Sequence, residues 1–534
     1  MKAEISKRLT QYMVPTAYLQ LKEMPMTPNG KTDVKALPEP QLAVSSAYVA
    51  PANDTEKAFC DIFAGILQMD KVGATDNFFE LGGTSLVVTR VIIEADKAGL
   101  HVAYGDVFTN PTPRQLATLI TGDANAGDAH DEVDGFDYTA INNLLQKNTL
   151  KVFRKGERRT LGNVLLTGAT GYLGIHILRE LIDSDAPNIY CLVRGKTQEK
   201  AENRLRTLLF YYFANSFKEL FGRRLHVILG DVTEDLTEKL STLNCQLSTL
   251  NSQLSTVFNC AAIVKHFAEG TEIEDVNIGG ARRCVDLCLK TGATLVHVST
   301  ASTRGMWVGE MKDETFTEQR LYMGQYLGNK YIYSKFMAER LILDAVALHG
   351  LDAKIMRVGN LAARSTDGEF QANFSTNSFM GRIKVYNMLG CCPYSMRNKR
   401  VEFSPINEVS HAIVLLATTP RECTVFHPYN IHGQFLGDVL MGLSTVGDGV
   451  RFVEQEEFEE VMERAKEDPQ KAKALSSLLA YQDMAHGQKT ADVARDNDYT
   501  TQVLYRLGFS FSPTSWDYVE RMLNAISGFG FFEN

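Results

Sequence analysis

Hydrophobic positions repeat at helical spacing between residues 46 and 122. Residues 54–69 carry apolar side chains every three or four positions behind an Asn-Asp-Thr cap, which predicts a helix. Residues 85–97 form a second such stretch that stops at Gly99, and residues 113–120 form a third that opens with proline. Together they predict a small helical-bundle domain over 46–122.

A second pattern begins near residue 138, where short β-branched runs alternate with helical stretches. This alternation predicts an α/β fold, a Rossmann-like doubly wound parallel sheet. From about residue 400 the pattern is mainly helical, so we expect a smaller, mostly helical C-terminal lobe that holds most of the substrate site. The predicted strands are NVLLTGATG, NIYCLVR, LHVILGDV, TVFNCAA, TLVHVST and KIMRVGN.

Two linkers separate the predicted units. Residues 37–51 are rich in proline, serine and alanine, and residues 121–137 hold six acidic residues with no Lys or Arg. We expect the acidic stretch to stay solvated, because it has too few apolar residues to bury a core. The resulting domains are 1–40, 46–122 and 138–534. A tandem repeat over 240–256 has leucines at helical spacing, and we interpret it as a local duplication without chemistry.

Composition narrows the classes of function. The 534 residues carry a net charge of −9 without a block of Lys or Arg, which argues against a nucleic-acid partner. No apolar run approaches the roughly 20 residues of a membrane span, and no signal-peptide core precedes the first domain, so we expect a cytoplasmic protein. Nine cysteines without a Cys-x-x-Cys pair predict reduced thiols. The histidines show no metal-ligand spacing; we expect no metal site, and a structural or surface role for His266.

The segment VLLTGATGYLG, residues 164–174, predicts a dinucleotide site. Its glycines follow an apolar strand and precede a helix, where a tight turn must let a pyrophosphate approach the backbone. The alternative is a glycine-rich turn that binds nothing. The predicted cofactor contacts in this segment are Thr167, Gly168, Gly171, Tyr172, Leu173 and Gly174.

Basic residues after the next strand predict NADPH. Arg194 lies 20 residues after Gly174, where NAD-preferring enzymes carry an acidic residue, and an arginine there suits a 2′-phosphate. The alternative for Arg194 is a solvated surface arginine. Arg204 could be a second phosphate contact or, equally, a solvated surface residue. Asp231, with Val232 beside it, ends the third strand and could meet the adenine amino group or simply cap a loop.

Tyr331 and Lys335 place a phenol and an ammonium on one helix face. We expect the positive charge to favour the phenolate, which would make Tyr331 a proton donor or acceptor near neutral pH. Lys335 can also hold the nicotinamide ribose. Tyr326 and Lys330 have the same spacing, but Gly328 and Asn329 interrupt a helix there.

Hydroxyl groups follow the fifth predicted strand. We expect Thr300 to be the partner of Tyr331, with Ser299 or Ser302 as substitutes, because ligands bind at the carboxyl edge of such sheets. The alternative is ordinary Ser/Thr turn chemistry. The chain has no G-x-S-x-G elbow, so hydrolysis by a serine nucleophile is unsupported.

The segment DNFFELGGTSL, residues 76–86, resembles the attachment motif of peptidyl carrier domains in nonribosomal peptide synthetases. The resemblance implies that a phosphopantetheinyl transferase attaches 4′-phosphopantetheine to Ser85. A serine after a Gly-Gly turn at a helix start suits a phosphodiester, although it could be a helix cap alone. Residues 12–40 resemble the end of an adenylation domain, whose core lysine is matched by Lys31. Without the ATP-binding lobe Lys31 cannot act, so we expect the chain to be a C-terminal fragment of a larger synthetase.

Residues 138–534 resemble a terminal thioester reductase domain, an extended short-chain dehydrogenase/reductase. The resemblance rests on TGATGYLG, CLVR, GDV, STAS, the YxxxK pair and RVGNL at 357–361. Asn407 stands where we expect an acidic residue, at a position we interpret as structural. The resemblance implies that NADPH reduces a carrier-bound aminoacyl or peptidyl thioester to an aldehyde, or onward to an alcohol, with upstream synthetase modules as partners.

Three other functions remain open from the sequence. A reductase-like domain could release its product by redox-neutral, Dieckmann-type cyclisation, which loss of Tyr331 would have favoured. A sugar- or steroid-type dehydrogenase could be fused to a carrier domain, although a tethered carrier argues against free small substrates. The third is a docking platform without catalysis.

Overall fold

The computed structural model describes most of both predicted globular units. Lys31, His266, the Ser85 side chain and the repeat up to residue 253 lie outside the described part. The chain divides into two compact units, with the boundary between Asp128 and Ala129. The described residues are 48–102, 105–121, 132–153, 157–239, 254–264, 271–309, 311–371, 377–445, 449–466 and 490–528, with single residues at 21, 25, 32, 468, 471 and 475.

The smaller unit is a helical bundle, as predicted. Its helices are α1 (Asp54–Leu67), α2 (Ser85–Lys97), α3 (Asp106–Thr109) and α4 (Pro113–Thr121). The Asn53 side chain caps α1 by accepting a hydrogen bond from the Glu56 N–H at 2.8 Å. The Glu56 carboxylate also accepts a hydrogen bond from Arg114 on α4 at 3.1 Å. Apolar residues fill the space between the helices, among them Phe59, Phe63, Phe78, Val88 and Val91.

The larger unit contains the remaining elements. Its described α-helices of seven or more residues are α5 (Thr139–Leu145), α6 (Tyr172–Asp183), α7 (Gln198–Phe213), α8 (Gly280–Thr291), α9 (Lys330–His349), α10 (Ser378–Leu389), α11 (Ile406–Ala417), α12 (Leu436–Gly442), α13 (Gln455–Lys466), α14 (Asp498–Leu507) and α15 (Trp516–Ser527). Its strands are β1 (Asn163–Thr167), β2 (Ile189–Val193), β3 (Leu225–Leu229), β4 (Leu254–Asn259), β5 (Thr294–Thr300), β6 (Met306–Val308), β7 (Thr315–Phe316), β8 (Ala353–Val358), β9 (Leu361–Ala362), β10 (Cys391–Pro393), β11 (Arg400–Val401), β12 (Ser404–Pro405), β13 (Val425–Phe426), β14 (Gln434–Phe435), β15 (Arg451–Val453), β16 (Thr490–Asp492) and β17 (Ala494–Arg495).

Seven parallel strands form the central sheet in the order β13-β8-β5-β4-β1-β2-β3. All six predicted strands are present. The seventh, β13, was missed because two residues are too short to show a period. The end of the repeat, from Leu254, opens β4, so that leucine belongs to a strand and not to a helical stripe. The strand order reverses between β1 and β4, which is where doubly wound sheets bind ligands.

Helices cover both faces of the sheet. On one face, α6, α11 and α14 pack over an apolar cluster that includes Val164, Leu166 and Val296. On the other, α5, α8 and α9 cover Leu165, Val257 and other residues of the alternate strand positions. Part of the chain after residue 400, namely α11, β13 and α14, therefore completes the Rossmann-like layers.

The remaining C-terminal elements form a mostly helical lobe with short two-stranded ladders. Within it α12 packs against α15, and α10 against α13. One segment of this region returns to the chain that follows β5, where β16 pairs with β6 and β17 pairs with β7 in separate two-stranded ladders. The Arg304 guanidinium donates to the Val493 carbonyl at 2.6 Å and fixes the same junction.

The end of the acidic linker packs against α9, contrary to the expectation that residues 121–137 stay solvated. Val133 is 2% exposed, and the Glu132 carboxylate pairs with Arg340 at 2.6 Å. The Tyr333 hydroxyl donates to Glu132 at 3.2 Å, and Tyr322 donates to Asp134. A buried valine, the ion pair with Arg340 and the two tyrosine hydroxyls explain why residues 132–137 pack against the rest of the larger unit.

Three further findings concern the described residues. The eight described cysteines are free thiols, and seven of them are buried. No described helix combines the length and the apolar character needed to cross a membrane. Within the described ranges, no group of three or more His, Cys, Asp or Glu side chains could hold a metal ion.

Candidate active site

The glycine-rich turn joins β1 to α6 beside the reversal of strand order. Gly168 has φ +72°, and a Cβ there would lie 2.6 Å from the Ala261 nitrogen. A Cβ on Gly174 would collide with the Gly168 carbonyl oxygen, so this glycine lets the helix pack against the turn. At Gly171, the described residues place only that same oxygen, at 3.3 Å, within reach of an added Cβ. The turn therefore leaves its outer side open at Gly171, as a pyrophosphate requires.

The first turn of α6 supplies backbone donors to this open side. Gly171 is the N-cap in an extended conformation, and its carbonyl accepts the N–H of Ile175 at 2.9 Å. The N–H groups of Tyr172, Leu173 and Gly174 belong to the first turn, where the helix dipole favours an anion.

Two predicted cofactor contacts use their side chains elsewhere. The Tyr172 hydroxyl donates to the Ala362 carbonyl at 3.1 Å and thereby ties α6 to β9. The Thr167 hydroxyl donates to Asn259 Oδ1 at 2.8 Å, inside the sheet. The hydroxyl protons of both residues are therefore already donated within the protein.

Two arginines lie at the carboxyl end of β2. The Arg194 side chain is 70% exposed, and its Nη1 lies 3.7 Å from the Asp231 carboxylate. Arg204 on α7 donates to the Arg194 carbonyl at 3.5 Å; burial lowers its pKa, and the charge of Arg194 lowers it further. Asp231 caps its own turn by accepting from the Thr233 N–H at 3.0 Å, and Val232 is buried. The loop-cap interpretation of Asp231 fits these contacts.

Thr300 and Tyr331 meet at the carboxyl edge of β5. The Tyr331 phenol is 9% exposed and shares a hydrogen bond with the Thr300 side chain. Burial raises the pKa of Tyr331 to about 12, and the hydrogen bond with Thr300 opposes that rise. The sequence pattern predicts that Lys335 favours the phenolate, but burial has the opposite effect because it penalises the charged form. The phenol is therefore protonated and suited to donate.

Lys335 lies one helical turn after Tyr331 and is 2% exposed. Its Nζ donates to the Val298 carbonyl at 2.5 Å and lies 3.4 Å from His297 Nε2. Burial lowers the pKa of Lys335 to about 8, while Glu339 and Cys260 act in the opposite direction. The amine therefore titrates close to neutral pH.

The alternative residues lie in other environments. Tyr326 precedes α9, and its backbone pairs with Met306 at 2.9 and 3.0 Å, whereas Lys330 is the first residue of the helix. The Ser299 hydroxyl donates to Glu339, and Ser302 is exposed with its N–H on Thr300 Oγ1 at 3.1 Å. Thr300 is the hydroxyl that the structure brings to Tyr331.

A fully buried ion pair lies behind the site. Arg357 Nη2 is 2.8 Å from the Glu339 carboxylate, and both side chains are 0% exposed. The Arg357 guanidinium also donates to the Arg320 carbonyl at 2.9 Å. This pair joins α9 to β8 and holds the helix that carries Tyr331 and Lys335.

The carrier motif forms a tight loop before α2. Gly82 has φ +100°, and a Cβ on Gly83 would collide with the Phe78 ring, so both positions need glycine. Ser85 is the first residue of α2, so its backbone lies at a helix N-terminus.

Asn407 lies at the start of α11, where its Oδ1 accepts the Ser365 N–H at 3.0 Å. Its amide nitrogen donates to the Ser365 hydroxyl at 3.0 Å. These bonds fix the loop against the helix, which supports the structural role expected for this position.

Sequence reasoning missed three side chains next to the site: Asn259, His297 and Glu339. All three are at most 2% exposed. A polar residue in an otherwise apolar strand is the local signal for the first two, since a buried polar side chain needs a partner.

Comparisons with known proteins agree with this arrangement. Residues 57–120 match a family model described as a phosphopantetheine attachment site, and residues 166–413 match an NAD-binding family described as male sterility protein. A solved archaeal thiolation-reductase di-domain of a non-ribosomal peptide synthetase is 36% identical with a TM-score of 0.81, and the match covers 91% of this chain and 100% of that one. The chain belongs to the thiolation-reductase di-domains of nonribosomal peptide synthetases.

Curated relatives of this di-domain are much longer. One of the subunits of linear gramicidin synthase from Brevibacillus parabrevis is 28% identical over 89% of this chain and 9% of its own length. The large subunit of L-2-aminoadipate reductase from Penicillium chrysogenum is 26% identical over 82% of this chain and 33% of its own length. The di-domain thus spans at most a third of these two relatives. Its smaller unit is a phosphopantetheine-attachment domain, and its larger unit is an NAD(P)-binding reductase domain.

Proposed function

We propose that this di-domain releases an aminoacyl or peptidyl thioester, carried by phosphopantetheine on Ser85, as an aldehyde by reduction with NADPH. The observation that carries the proposal is the hydrogen-bonded pair of Thr300 and Tyr331, with Lys335 one turn on, at the carboxyl edge of the sheet. This edge also holds the open glycine turn. The carrier domain that precedes the site in the same chain supports the same activity.

Backbone groups and side chains of the proposed site have separate roles. NADPH, when bound, supplies the hydride. The backbone of Gly168 to Gly174 would hold its pyrophosphate, and Arg194 with Arg204 would hold the 2′-phosphate. Thr300 and Tyr331 donate hydrogen bonds to the thioester oxygen and stabilise the negative charge that develops there.

Proton delivery falls to Tyr331. Its phenol is protonated at neutral pH because burial raises its pKa to about 12, so it acts as an acid. Collapse of the tetrahedral adduct breaks the carbon–sulfur bond, which leaves an aldehyde and the pantetheine thiol. A substrate attached to the same chain has a high effective concentration, so weak contacts with the acyl group suffice.

The test uses the full chain with phosphopantetheine on Ser85 and an aminoacyl group on its thiol. Mixing it with NADPH should give a loss of absorbance at 340 nm equal to the aldehyde released. Release of product without loss of NADPH would contradict the proposal and favour redox-neutral cyclisation.

Two variants assign the roles. Tyr331→Phe should lower turnover by about 10²–10⁴-fold and keep NADPH binding, because only the acid is removed. The matched control is Tyr333→Phe, on the same helix, whose hydroxyl contacts Glu132. Ser85→Ala should abolish release from the tethered substrate and spare reduction of a soluble thioester. Equal loss of both activities would contradict the carrier role.

Cofactor preference is tested at Arg194. Arg194→Asp should raise the KM for NADPH about 10–100-fold, the worth of one or two charge-assisted hydrogen bonds, and improve the use of NADH. Arg223→Asp, an exposed arginine at the amino end of β3, is the control. An unchanged NADPH-to-NADH ratio would show that Arg194 does not bind the 2′-phosphate.

A further inference from the structure

Thr300 lies where the chain leaves the sheet. It is the last residue of β5, and a short 3₁₀ helix, Ala301–Arg304, follows it. Its Oγ1 accepts the Ser302 N–H at 3.1 Å, which fixes the side chain within its own loop. The hydrogen bond between Thr300 and Tyr331, however, joins this loop to α9. Its length therefore depends on how the end of β5 is held against that helix.

Glu339 supplies a direct link between the two elements. It lies about two helical turns after Tyr331 on α9 and is 0% exposed. Its Oε1 accepts a hydrogen bond from the hydroxyl of Ser299, the residue before Thr300. The Thr303 hydroxyl shares its proton between the same Oε1, at 3.3 Å, and the Thr300 carbonyl, at 2.9 Å. One carboxylate oxygen of α9 thus contacts the chain on both sides of Thr300.

The second oxygen of Glu339 is held from the sheet. Arg357 Nε donates to Glu339 Oε2 at 2.8 Å. Arg357 on β8 and Ser299 on β5 are register partners, so two neighbouring strands hold the carboxylate from its two ends. Ser299, Thr303 and Arg357 are 2%, 0% and 0% exposed. Water is therefore a poor substitute for any of these donors, and a buried carboxylate that lost one would be left short of a partner.

We propose that Glu339 is a positioning residue for Thr300. Its contacts with Ser299 and Thr303 fix the end of β5 on α9, and the Thr300 hydroxyl is thereby kept within hydrogen-bond distance of the Tyr331 phenol. The inference rests on the proposed function, in which these two hydroxyls donate to the thioester oxygen. Donors aimed at a developing charge are effective when their places are fixed beforehand. A displacement of about 1 Å can cost about 10²-fold in rate.

The donors to Glu339 are better targets for the test than Glu339 itself. The Glu339 charge also acts on Lys335, where it favours the ammonium, and Arg357 would be left buried without its partner. Ser299→Ala and Thr303→Val each remove one hydroxyl and keep the carboxylate with its charge. Any effect on turnover then reports the place of the loop.

The first measurement is single-turnover NADPH consumption by the loaded protein. Ser299→Ala should lower the rate about tenfold without changing NADPH binding. In a Thr300→Val background the same change should cost less than about twofold, because the hydroxyl that is positioned is already gone. Equal losses in the two backgrounds would overturn the inference. Ser302→Ala, at an exposed serine of the same loop, is the matched control and should react at the wild-type rate.

Thr303 offers a conservative pair of variants. Thr303→Val keeps the shape of the side chain without its hydroxyl and should lower the rate about 3–10-fold. Thr303→Ser keeps the hydroxyl and should retain most of the wild-type rate. Equal losses in the valine and serine variants would show that packing, and not the bond to Glu339, sets the rate, which would contradict the inference.

The second measurement needs no activity. 3-Fluorotyrosine placed at position 331 alone has a more acidic phenol than tyrosine, and its fluorine resonance follows the ionisation of that phenol. The bond with Thr300 lowers the pKa of Tyr331, so Thr300→Val should raise the pKa measured at this position. Ser299→Ala and Thr303→Val should raise it in the same direction. Ser302→Ala and Thr303→Ser should leave it at the wild-type value.

The two proposals fail separately. A pKa at position 331 that rises in Thr300→Val but not in Ser299→Ala or Thr303→Val would refute the role of Glu339, even if the protein reduces thioesters. No rise in Thr300→Val would refute it as well, because no bond between Thr300 and Tyr331 would then exist. A wild-type protein that consumes no NADPH, yet shows all three rises, would refute the reductase activity alone.

Discussion

Two lysines of the larger unit share one electrostatic property and differ in place. Lys335 and Lys354 are 2% and 0% exposed, and burial lowers the pKa of each to about 8. Each amine donates to backbone carbonyls, Lys335 to Val298 and Lys354 to Cys423 at 2.6 Å. Burial alone therefore gives both the pKa shift expected of a catalytic lysine.

Their positions along the parallel strands separate them. Lys354 is the second residue of β8, so it lies toward the amino end of the sheet, 3.9 Å from Asp352. Lys335 lies beside Val298, near the carboxyl end of β5, one turn from Tyr331. Ligands of doubly wound sheets bind at the carboxyl ends, so position along the strands favours Lys335 over Lys354 for the proposed chemistry.

The largest expected difference between the two lysines is in the rate of turnover. Lys335→Met should lower kcat by about 10²–10⁴-fold, since the proposed ribose contact and the proposed support of Tyr331 would both be lost. Lys354→Met is the matched control. It should keep turnover within about twofold, because the Lys354 amine donates to backbone carbonyls away from the carboxyl end of the sheet. Single-turnover reduction of the loaded protein measures both, and an equal loss in the two variants would contradict the assignment.

The next largest effect concerns Arg357, a buried cation that, unlike the two lysines, forms an ion pair with a fully buried carboxylate, Glu339. Arg357→Met leaves the Glu339 carboxylate buried without its guanidinium and should cost about 3–5 kcal/mol of unfolding free energy. The double variant Arg357→Met/Glu339→Leu should recover most of it, because no charge remains buried. Urea unfolding followed by circular dichroism measures this; a double variant no more stable than the single one would point to lost packing.

The lowered pKa that both lysines share should be visible in how the unfolding free energy depends on pH. Each binds a proton in the unfolded chain up to about its usual pKa of 10.5, but in the folded protein only up to about 8. Between these values the unfolded chain binds more protons, so the unfolding free energy rises with pH by about 1.4 kcal/mol per pH unit per lysine. Each Met variant should lose one such contribution, visible as a flatter curve in urea titrations from pH 7 to 11. A curve as steep as that of the wild type would mean that the lysine titrates normally.

The smallest expected effect separates the two environments. Asp352→Asn removes a carboxylate that raises the pKa of Lys354, so the Lys354-dependent rise in stability should begin at a lower pH, by less than about one unit. The Lys335-dependent rise and the turnover should stay as they are. Pairing Asp352→Asn with each Met variant in the same urea titrations tells the two lysines apart.

Local sequence signals predicted most strands of the sheet and the short motifs of the candidate site, but not the contacts between its strands. The glycine turn and the Tyr331–Lys335 pair each lie within a few residues of the chain, so spacing alone reveals them. The buried contacts of Asn259 with Thr167 and His297 depend on strand register between segments 92 and 38 residues apart, which spacing does not record. Spacing likewise does not show that the hydroxyls of Tyr172 and Thr167 bind Ala362 and Asn259, which lie far along the chain.

The C-terminal lobe was the weakest prediction. Helical periodicity after residue 400 is real, but it does not say which helices pack on the sheet, and α11 with β13 completes the Rossmann-like layers. Similarly, composition alone predicts a solvated acidic linker, while its end is ordered by pairing of Glu132 with Arg340 on α9. Both outcomes follow from tertiary partners that lie far along the chain.

The return of β16 and β17 to the strands behind Thr300 has a consequence for biosynthesis. These strands come almost two hundred residues after β6 and β7, the two strands that follow Thr300, so that part of the chain must wait for its partners during translation. A nascent chain that has already formed its nucleotide-binding half still lacks these partners. The proposed activity should therefore be gained only after residues 490–495 have left the exit tunnel and paired with β6 and β7.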